Sequence, residues 1–356
     1  MAQNDLTQGS ILGNISRFSL PYMLSYFLQI LYGLADMFVI GQYCGVDSTT
    51  AVANGAQIMH MFTVIIIGLA MGTTVRLGRA IGAKDKIEAS KTIGNTFTLF
   101  ALTAIVATFI LLLANRSIVS MIDTPPEAVK GTIDYLRICF IGIPFIIAYN
   151  IIASIFRGLG DSKSPMYFVI VACVANIALD YIFIGHFGLG PSGAALGTTL
   201  SQMISVIIAA IVIRRKSLLN ISGQDLRPER RTMGGILKIG VPVALQDGFI
   251  QIAFIAITAI ANGRGLNDAA AVGIVEKFIG LLFIVPSAML ATVSAMAAQN
   301  IGAKKPERAR KTMEYAIAIA VGFGTLAAVT LQFIPEYAVR IFTSDSTVIT
   351  LGGQYL

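Results

Sequence analysis

The chain has 356 residues, of which 55% are hydrophobic and only 13% are charged, and its mean hydropathy is +0.76. Soluble domains carry about 25% charged residues, so this composition excludes an ordinary water-soluble enzyme, and it excludes a disordered chain, which needs low hydrophobicity and high charge. The net charge of +7 does not indicate nucleic-acid binding, because the Lys and Arg residues stand in short clusters between long apolar runs.

Cysteine and histidine residues do not indicate a metal or disulfide framework. Cys44, Cys139 and Cys173 lie in apolar surroundings and form no C-x-x-C pair. His60 and His186 are too few for a centre built from several His ligands. We therefore expect no bound metal of that kind and no cofactor.

Nine apolar segments are long enough to cross a bilayer as helices, which takes about 20 residues. Their approximate bounds are 15–40, 50–74, 92–114, 133–156, 165–187, 193–213, 236–261, 268–294 and 312–334. Hydrophobicity does not alternate along these runs, so they predict helices and not the strands of a barrel. The first ten residues are polar, and we expect no cleaved signal peptide.

The positions of Lys and Arg predict the orientation in the membrane. If the N-terminus is cytoplasmic, 20 of the 26 Lys and Arg residues fall in cytoplasmic segments, five fall outside and Lys277 falls within a span. Cytoplasmic loops carry an excess of these residues. The sequence therefore predicts a multi-pass protein of the plasma (inner) membrane with a cytoplasmic N-terminus.

An internal repeat divides the chain into two related parts. Residues 82–92 reappear as residues 302–312, and Pro21 pairs with Pro242 near the start of the seventh span. We therefore predict a six-helix N-terminal lobe over 1–213, a cytoplasmic linker over 214–235, and a C-terminal lobe over 236–356 that holds helices seven to nine. Completing the symmetry would need about 440 residues and twelve spans. The chain is thus expected to stop after the ninth helix; a genuine nine-span protein is the alternative.

Five stretches resemble the multidrug and toxic compound extrusion (MATE) family of cation-coupled antiporters. They are LADMFVIG at 34–41, FRGLGDSKSPM at 156–166, NIALD at 176–180, GAALGTT at 193–199 and AQNIGAK at 298–304. The resemblance implies an all-α membrane protein whose two helical lobes form a V. It also implies alternating access, with export of amphipathic organic cations in exchange for H⁺ or Na⁺.

Acidic residues within spans are costly and are functional candidates. The family's cation site in the first lobe resembles the set Asp36, Asn176, Asp180 and Thr198. Two carboxylates close together in a low dielectric resist simultaneous ionisation, so we expect one to hold a proton or both to share Na⁺. Members of the family often have Pro after the span-five Asp, whereas Tyr181 follows here, which predicts a different local helix geometry.

The second lobe offers a weaker set of candidates. Asp247 and Gln251 share one face of span seven, and Glu276 lies in span eight, so the three form a possible second polar site. Glu276 can equally pair with neighbouring Lys277. Pro21 is a candidate kink in the first helix, related either to proton binding or to packing alone.

Three functions remain open at this point. An antiporter for amphipathic substrates is the leading hypothesis, and a lipid-linked oligosaccharide flippase of the same superfamily or a non-transporting membrane protein are alternatives. An enzyme is not expected, because no H-E-x-x-H, G-x-S-x-G or P-loop motif occurs. The expected partners are a small-molecule substrate and membrane lipids, without nucleic acid, and the expected oligomeric state is a monomer.

Overall fold

The computed structural model describes residues 5–215, 222–343 and 345–356, and the regular structure in these ranges is helical. Thirteen α-helices and one π-helical segment follow one another within the described residues. They are α1 (Ile11–Tyr43), α2 (Val46–Gly82), α3 (Lys86–Met121), α4 (Pro126–Ile141), α5 (Ile143–Gly158), α6 (Lys163–Asp180), the π-helix (Tyr181–His186), α7 (Gly190–Arg215), α8 (Arg230–Arg264), α9 (Leu266–Leu282), α10 (Ile284–Gly302), α11 (Pro306–Phe333), α12 (Pro335–Arg340) and α13 (Ser346–Tyr355).

The predicted membrane spans are confirmed as helices. Within the described residues, eight helices are long and apolar enough to cross a membrane, and α4 with α5 makes a ninth span if the bent pair is counted as one. The apolar run 268–294 falls within the span 267–302, and the run 312–334 ends one residue beyond the span 306–333. Helix starts follow local signals: Asp85 caps α3 by accepting a hydrogen bond from the Glu88 N–H at 3.0 Å.

The fourth span is bent by 51° between α4 and α5. Gly142 stands at the break, and Pro144 in the first turn of α5 has no N–H to donate. The Thr199 side chain of α7 occupies the space that a Cβ of Gly142 would need. The bend therefore coincides with a close approach of α7.

The predicted repeat is visible in the backbone of two loops. Lys84 and Lys304, 220 residues apart, have φ angles of 58° and 59°. Each loop also forms an equivalent turn hydrogen bond. The Lys84 N–H donates to the Ile81 carbonyl, and the Lys304 N–H donates to the Ile301 carbonyl, both at 3.0 Å. The related sequences thus fold into related turns.

We call α1–α7 the first lobe and α8–α13 the second lobe. They are in contact at the end of the bundle that holds the 84 and 304 loops, which we call the linker side. There, α2 crosses α8 so closely that a Cβ on Gly72 would overlap the Ile236 carbonyl, and one on Gly240 would overlap the Leu69 carbonyl.

A second crossing between the lobes involves α1 and α10. Its core is a cluster of buried apolar side chains that also includes α11. The members are Leu6, Ile15, Phe18, Ala288, Met289, Ala295, Met296 and Ala316. Leu6 precedes α1, so the segment before the first helix lies against the second lobe.

The predicted linker 214–235 is shorter in the structure, because α7 extends to Arg215 and α8 begins at Arg230. Residues 216–221 lie outside the described residues. The part from 222 to 229 lies against α3, where the Asn95 side chain donates to the Asp225 carbonyl and accepts from the Glu229 N–H. Thr98 donates to the Leu226 carbonyl at 2.7 Å. This part of the linker is thus fixed to the first lobe.

Candidate functional site

Three helices of the first lobe bring the predicted cation-site residues together. Asp36 lies on α1, Asn176 and Asp180 lie one turn apart on α6, and Thr198 lies on α7. Asp36, Asn176 and Asp180 are 6%, 1% and 0% exposed. Because α1 and α7 both pack on α6, residues far apart in sequence share one buried position.

The carboxyl groups of Asp36 and Asp180 face each other in this cluster. Asp36 interacts with the side chains of Asp180, Asn176 and Thr198, and the Thr198 hydroxyl donates to Asp36 Oδ2 at 3.4 Å. None of the ion pairs formed by the described residues includes either carboxylate. Two acidic groups therefore lie side by side in the protein interior without a neutralising cationic side chain.

Several buried polar atoms of the cluster have no hydrogen-bond partner among the described residues. They are Asp36 Oδ1, both carboxyl oxygens of Asp180, and the Oδ1 and Nδ2 atoms of Asn176. A buried polar group without a partner costs about 1–3 kcal/mol. The arrangement is thus suited to a ligand that supplies positive charge to oxygen atoms.

A glycine on α7 makes room for this cluster. A Cβ on Gly197 would overlap Asp180 Oδ1 and would lie 3.6 Å from Asn176 Nδ2. The α7 backbone therefore forms one wall of the site directly behind the second carboxylate. Sequence reasoning placed Gly197 in a family motif but did not identify this close approach.

The α6 helix widens into the π-helix immediately after Asp180. This is the position where Tyr181 stands instead of the proline common in the family. Without proline, the backbone keeps its N–H donors and the span continues in a π-helical geometry. Single π-helical turns occur often at functional sites, and here one follows the second carboxylate directly. The Tyr181 ring meets Tyr43 of α1 edge-on, with ring centroids 6.3 Å apart.

Two tyrosines lie within electrostatic range of Asp36. Tyr32 precedes it by one turn of α1, so both residues share a face of the helix. Tyr135 of α4 was missed, because nothing in the local sequence shows which residue of another span reaches α1. Its ring is 2% exposed and occupies the space beside Gly55.

The candidates of the second lobe do not form one cluster. The Thr258 hydroxyl donates to Glu276 Oε1 at 2.6 Å, which joins α8 to α9. Asp247 lies instead within electrostatic range of Tyr26 on α1. No hydrogen bond between the described residues connects Asp247 or Gln251 with Glu276. The predicted possible second site is therefore spread over two places.

Pro21 lies inside a continuous α1. The helix runs from Ile11 to Tyr43 without a break, and the Ser25 hydroxyl donates to the Pro21 carbonyl at 2.8 Å. A bend of α1 at this residue stays a prediction. The described residues contain no group of three or more His, Cys, Asp or Glu side chains placed to hold a metal ion. An ion at the Asp36–Asp180 cluster would bind to a mixed set of carboxylate, amide and hydroxyl oxygens.

The chain resembles known transporters over nearly its whole length. It matches the family model described as MatE over residues 21–182 and 242–356. It is 30% identical over 361 residues to the probable multidrug resistance protein YpnP of Bacillus subtilis, an alignment that covers 100% of this chain and 80% of the relative. It is 25% identical to the FAD transporter of Shewanella oneidensis, covering 98% of this chain and 77% of that protein.

A solved structure agrees with the sequence relatives. A transporter of the MOP superfamily from Pyrococcus furiosus, described as having a binding pocket of reversed polarity, superimposes with a TM-score of 0.89. It is 26% identical, and the match covers 99% of this chain and 79% of that one. These proteins are transporters and not enzymes, and they move small molecules across membranes. The chain is an all-α, multi-pass membrane protein, and it belongs to the MATE family of multidrug efflux transporters.

Proposed function

We propose that the protein exports amphipathic organic cations in exchange for H⁺ or Na⁺, which binds between Asp36 and Asp180. One observation carries this proposal: two carboxylates face each other in a membrane-spanning lobe with no cationic partner among the described residues. Ionisable residues within a membrane are expensive and mark ion pathways. The multidrug resistance name of the Bacillus relative supports the substrate class.

A proton suits the pair because it removes the repulsion between two buried negative charges. With one proton, one carboxyl group becomes a donor and the other remains an acceptor. The oxygens that lack partners then bond to each other. Loss of the proton restores two adjacent negative charges and favours a state in which the site is hydrated or occupied by a cation.

Sodium ion suits the same residues through a different set of contacts. Carboxylate, amide and hydroxyl oxygens are ligands for hard cations, and Asp36, Asp180, Asn176 and Thr198 supply all three types. Sodium ion would neutralise the ionised pair without a proton. Both ions therefore remain candidates for the same site, and the imposed gradient distinguishes them.

Transport would follow from the coupling of this site to the contact between the lobes. Entry of the ion moves charge inward, and the membrane potential contributes about 2.3 kcal/mol per charge per 100 mV. Ion and cationic substrate would compete electrostatically for the ionised carboxylates, so their binding would alternate. From the Lys and Arg distribution we further propose a cytoplasmic N-terminus, location in the plasma membrane and contact of the basic loops with anionic lipids. We also propose that the protein functions as a monomer.

The test is efflux of a fluorescent organic cation from proteoliposomes under an imposed proton or sodium gradient. Asp36→Asn removes one charge with almost no change in shape. It should lower gradient-driven efflux by about 100-fold, because the variant lacks a carboxylate to which the coupling ion binds. The gradient that drives the wild-type protein identifies the coupling ion.

Asp47→Asn is the matched control, since it makes the same chemical change in the same lobe at an exposed position in the first turn of α2. It should transport at the wild-type rate. Wild-type efflux that ignores both gradients, or Asp36→Asn efflux equal to that of the control, would contradict the proposal.

A further inference from the structure

A small cavity lies on the linker side, between the segment before α1, the first turns of α1, and the turn that joins α5 to α6. Its volume is about 70 Å³. The residues that line it include Asp5, Asn14, Arg17, Gly160 and Lys163. The cavity therefore combines two cationic side chains with the start of two membrane-spanning helices.

The turn between α5 and α6 places Lys163 beside α1. Gly160 has a φ of 86°, a left-handed conformation that glycine adopts without strain. The Asp161 carboxylate then accepts hydrogen bonds from the backbone N–H groups of Lys163 and Ser164, at 2.9 and 3.0 Å, and so caps the start of α6. Arg17 and Lys163, far apart in sequence, thus line the same cavity.

The two cations of the cavity have no ion-pair partner among the described residues. The acidic residue in the lining is Asp5, whose carboxylate accepts hydrogen bonds from the N–H and hydroxyl of Thr7 and from the Gln8 side chain. The carboxylate that caps α6 is likewise held by its own turn. Local bonds therefore occupy both nearby carboxylates, and no ion pair neutralises Arg17 or Lys163.

Two further cations lie beside the segment before α1. Lys305 Nζ donates to the Thr7 carbonyl, and Arg308 donates to the Gln8 carbonyl. Both come from the second lobe, whereas the cations that line the cavity belong to the first. Positive charge therefore exceeds negative charge around this segment, which favours an anionic ligand.

The cavity lies at the depth of the lipid headgroups. The α1 helix has 33 residues, which span about 50 Å at 1.5 Å per residue. Centred on a hydrocarbon core about 30 Å thick, it extends about 10 Å beyond the core at each end. Arg17 lies six residues after Ile11, about 9 Å from the start of the helix. It is thus close to the boundary where the phosphate groups of lipids lie.

We propose that Arg17 and Lys163 form a binding site for the phosphate group of a phosphate ester. The planar guanidinium can donate two parallel hydrogen bonds to phosphate oxygens, and the ammonium adds a second positive charge. An anionic phospholipid and a soluble phosphate monoester share this chemistry. The inference goes beyond the proposed export function, because the site binds neither the coupling ion nor the exported substrate. It also names one defined position, which general attraction between basic loops and anionic lipids does not have.

The test is native mass spectrometry of the full-length protein released from detergent micelles, which resolves single bound molecules. Phosphatidylglycerol and phosphatidylcholine with identical acyl chains are titrated separately, and glycerol 3-phosphate is the soluble probe. The double variant Arg17→Gln/Lys163→Gln should weaken binding of the first phosphatidylglycerol by at least about tenfold, as the loss of charge-assisted hydrogen bonds does. Binding of phosphatidylcholine, whose ammonium group the two cations repel, should stay within about twofold, which also verifies that the variant is folded.

The matched control is Arg116→Gln/Lys130→Gln. It removes the same two charges from exposed positions on α3 and α4 of the first lobe, away from the cavity. It should bind phosphatidylglycerol within about twofold of the wild-type affinity. Lys163→Arg keeps the charge and should stay within about threefold.

The two probes distinguish the sources of the phosphate group. A loss confined to phosphatidylglycerol in the Arg17→Gln/Lys163→Gln protein supports a lipid headgroup site, and a loss for glycerol 3-phosphate as well supports a site that also takes soluble phosphate esters. Equal losses in the site variant and the control, no loss in the site variant, or wild-type protein that binds neither anionic probe more tightly than phosphatidylcholine would overturn the inference. Efflux that depends on Asp36 is measured separately, so these outcomes leave the proposed function standing.

Discussion

The two crossings between the lobes occupy equivalent places in the repeat but are built differently. At one, α2 meets α8 through glycine, and backbone touches backbone at Gly72 and Gly240. At the other, α10 meets α1 through side chains of Met289, Met296 and Phe18. Related sequences have thus produced one contact in which glycines let the backbones touch and one that is filled by larger side chains.

The difference shows how one repeat can serve two mechanical roles. A backbone contact has a single close geometry, because carbonyl groups and Cα atoms cannot change rotamer. A contact made of methionine and other flexible side chains can repack when the helices shift. We therefore expect the α2–α8 crossing to fix the relative position of the lobes. The side chains of the α1–α10 crossing should repack to fit that position.

The largest effect is expected from Gly72→Leu. Any Cβ at this position overlaps the Ile236 carbonyl, and a leucine cannot be accommodated without separating the helices. We expect gradient-driven efflux to fall more than about tenfold, since closure on the linker side costs more than about 1.4 kcal/mol. Spin labels at Lys86→Cys and Lys311→Cys should report a longer distance across the linker side.

Gly33→Leu is the control for this change, because the space around Gly33 on α1 is open. It should transport normally and show the wild-type distance between labels. A Gly72→Leu protein that resembles this control in both measurements would show that the α2–α8 contact does not determine the lobe position.

An intermediate effect, on stability, is expected at the contact between α2 and α10, where equivalent glycines of the two repeats pack against each other's helix. A Cβ on Gly82 would overlap the Gln299 carbonyl, and a Cβ on Gly302 would overlap the Arg79 carbonyl. Gly82→Ala and Gly302→Ala should each lower the free energy of unfolding by about 1–3 kcal/mol. Because both substitutions push apart the same pair of helices, the double variant should lose less than the sum, measured by thermal unfolding in detergent. Strict additivity would indicate that the two contacts are independent.

The smallest effect is expected from Met296→Leu at the α1–α10 crossing. Met296 is 0% exposed, yet this exchange nearly conserves volume and should cost less than about 1.5 kcal/mol. Efflux should stay close to the wild-type rate. A loss of transport as large as that of Gly72→Leu would mean that the side-chain crossing is as rigid as the glycine crossing.

Much of the fold could be predicted from the sequence, because long apolar runs and the placement of caps are local signals. The nine predicted spans match the helices of the structure, and the predicted repeat is reflected in the similar φ angles of Lys84 and Lys304. Family motifs also indicated Asp36 and Asp180, which the structure brings together.

The contacts between residues of different helices depend on how the helices rotate and cross. No local sequence pattern indicates this rotation or crossing. The approach of Tyr135 to Asp36 is set by the packing of different spans. The same reason explains why Asp247 and Glu276, both polar residues of the second lobe, lie in separate places. For the π-helix after Asp180, the sequence indicated only an altered local geometry. The spacing of apolar residues does not show whether a helical turn contains an extra residue.

The segment before α1 has a practical consequence for work on the protein. Lys305 Nζ donates to the Thr7 carbonyl at 2.9 Å, and Arg308 donates to the Gln8 carbonyl at 2.8 Å. The beginning of the first lobe is thus bonded to the start of α11 and to the residue before it in the second lobe. A fusion partner or affinity tag joined ahead of residue 5 would be attached next to the contact between the lobes. A reporter at that place would therefore disturb the movement of the lobes that it was meant to measure.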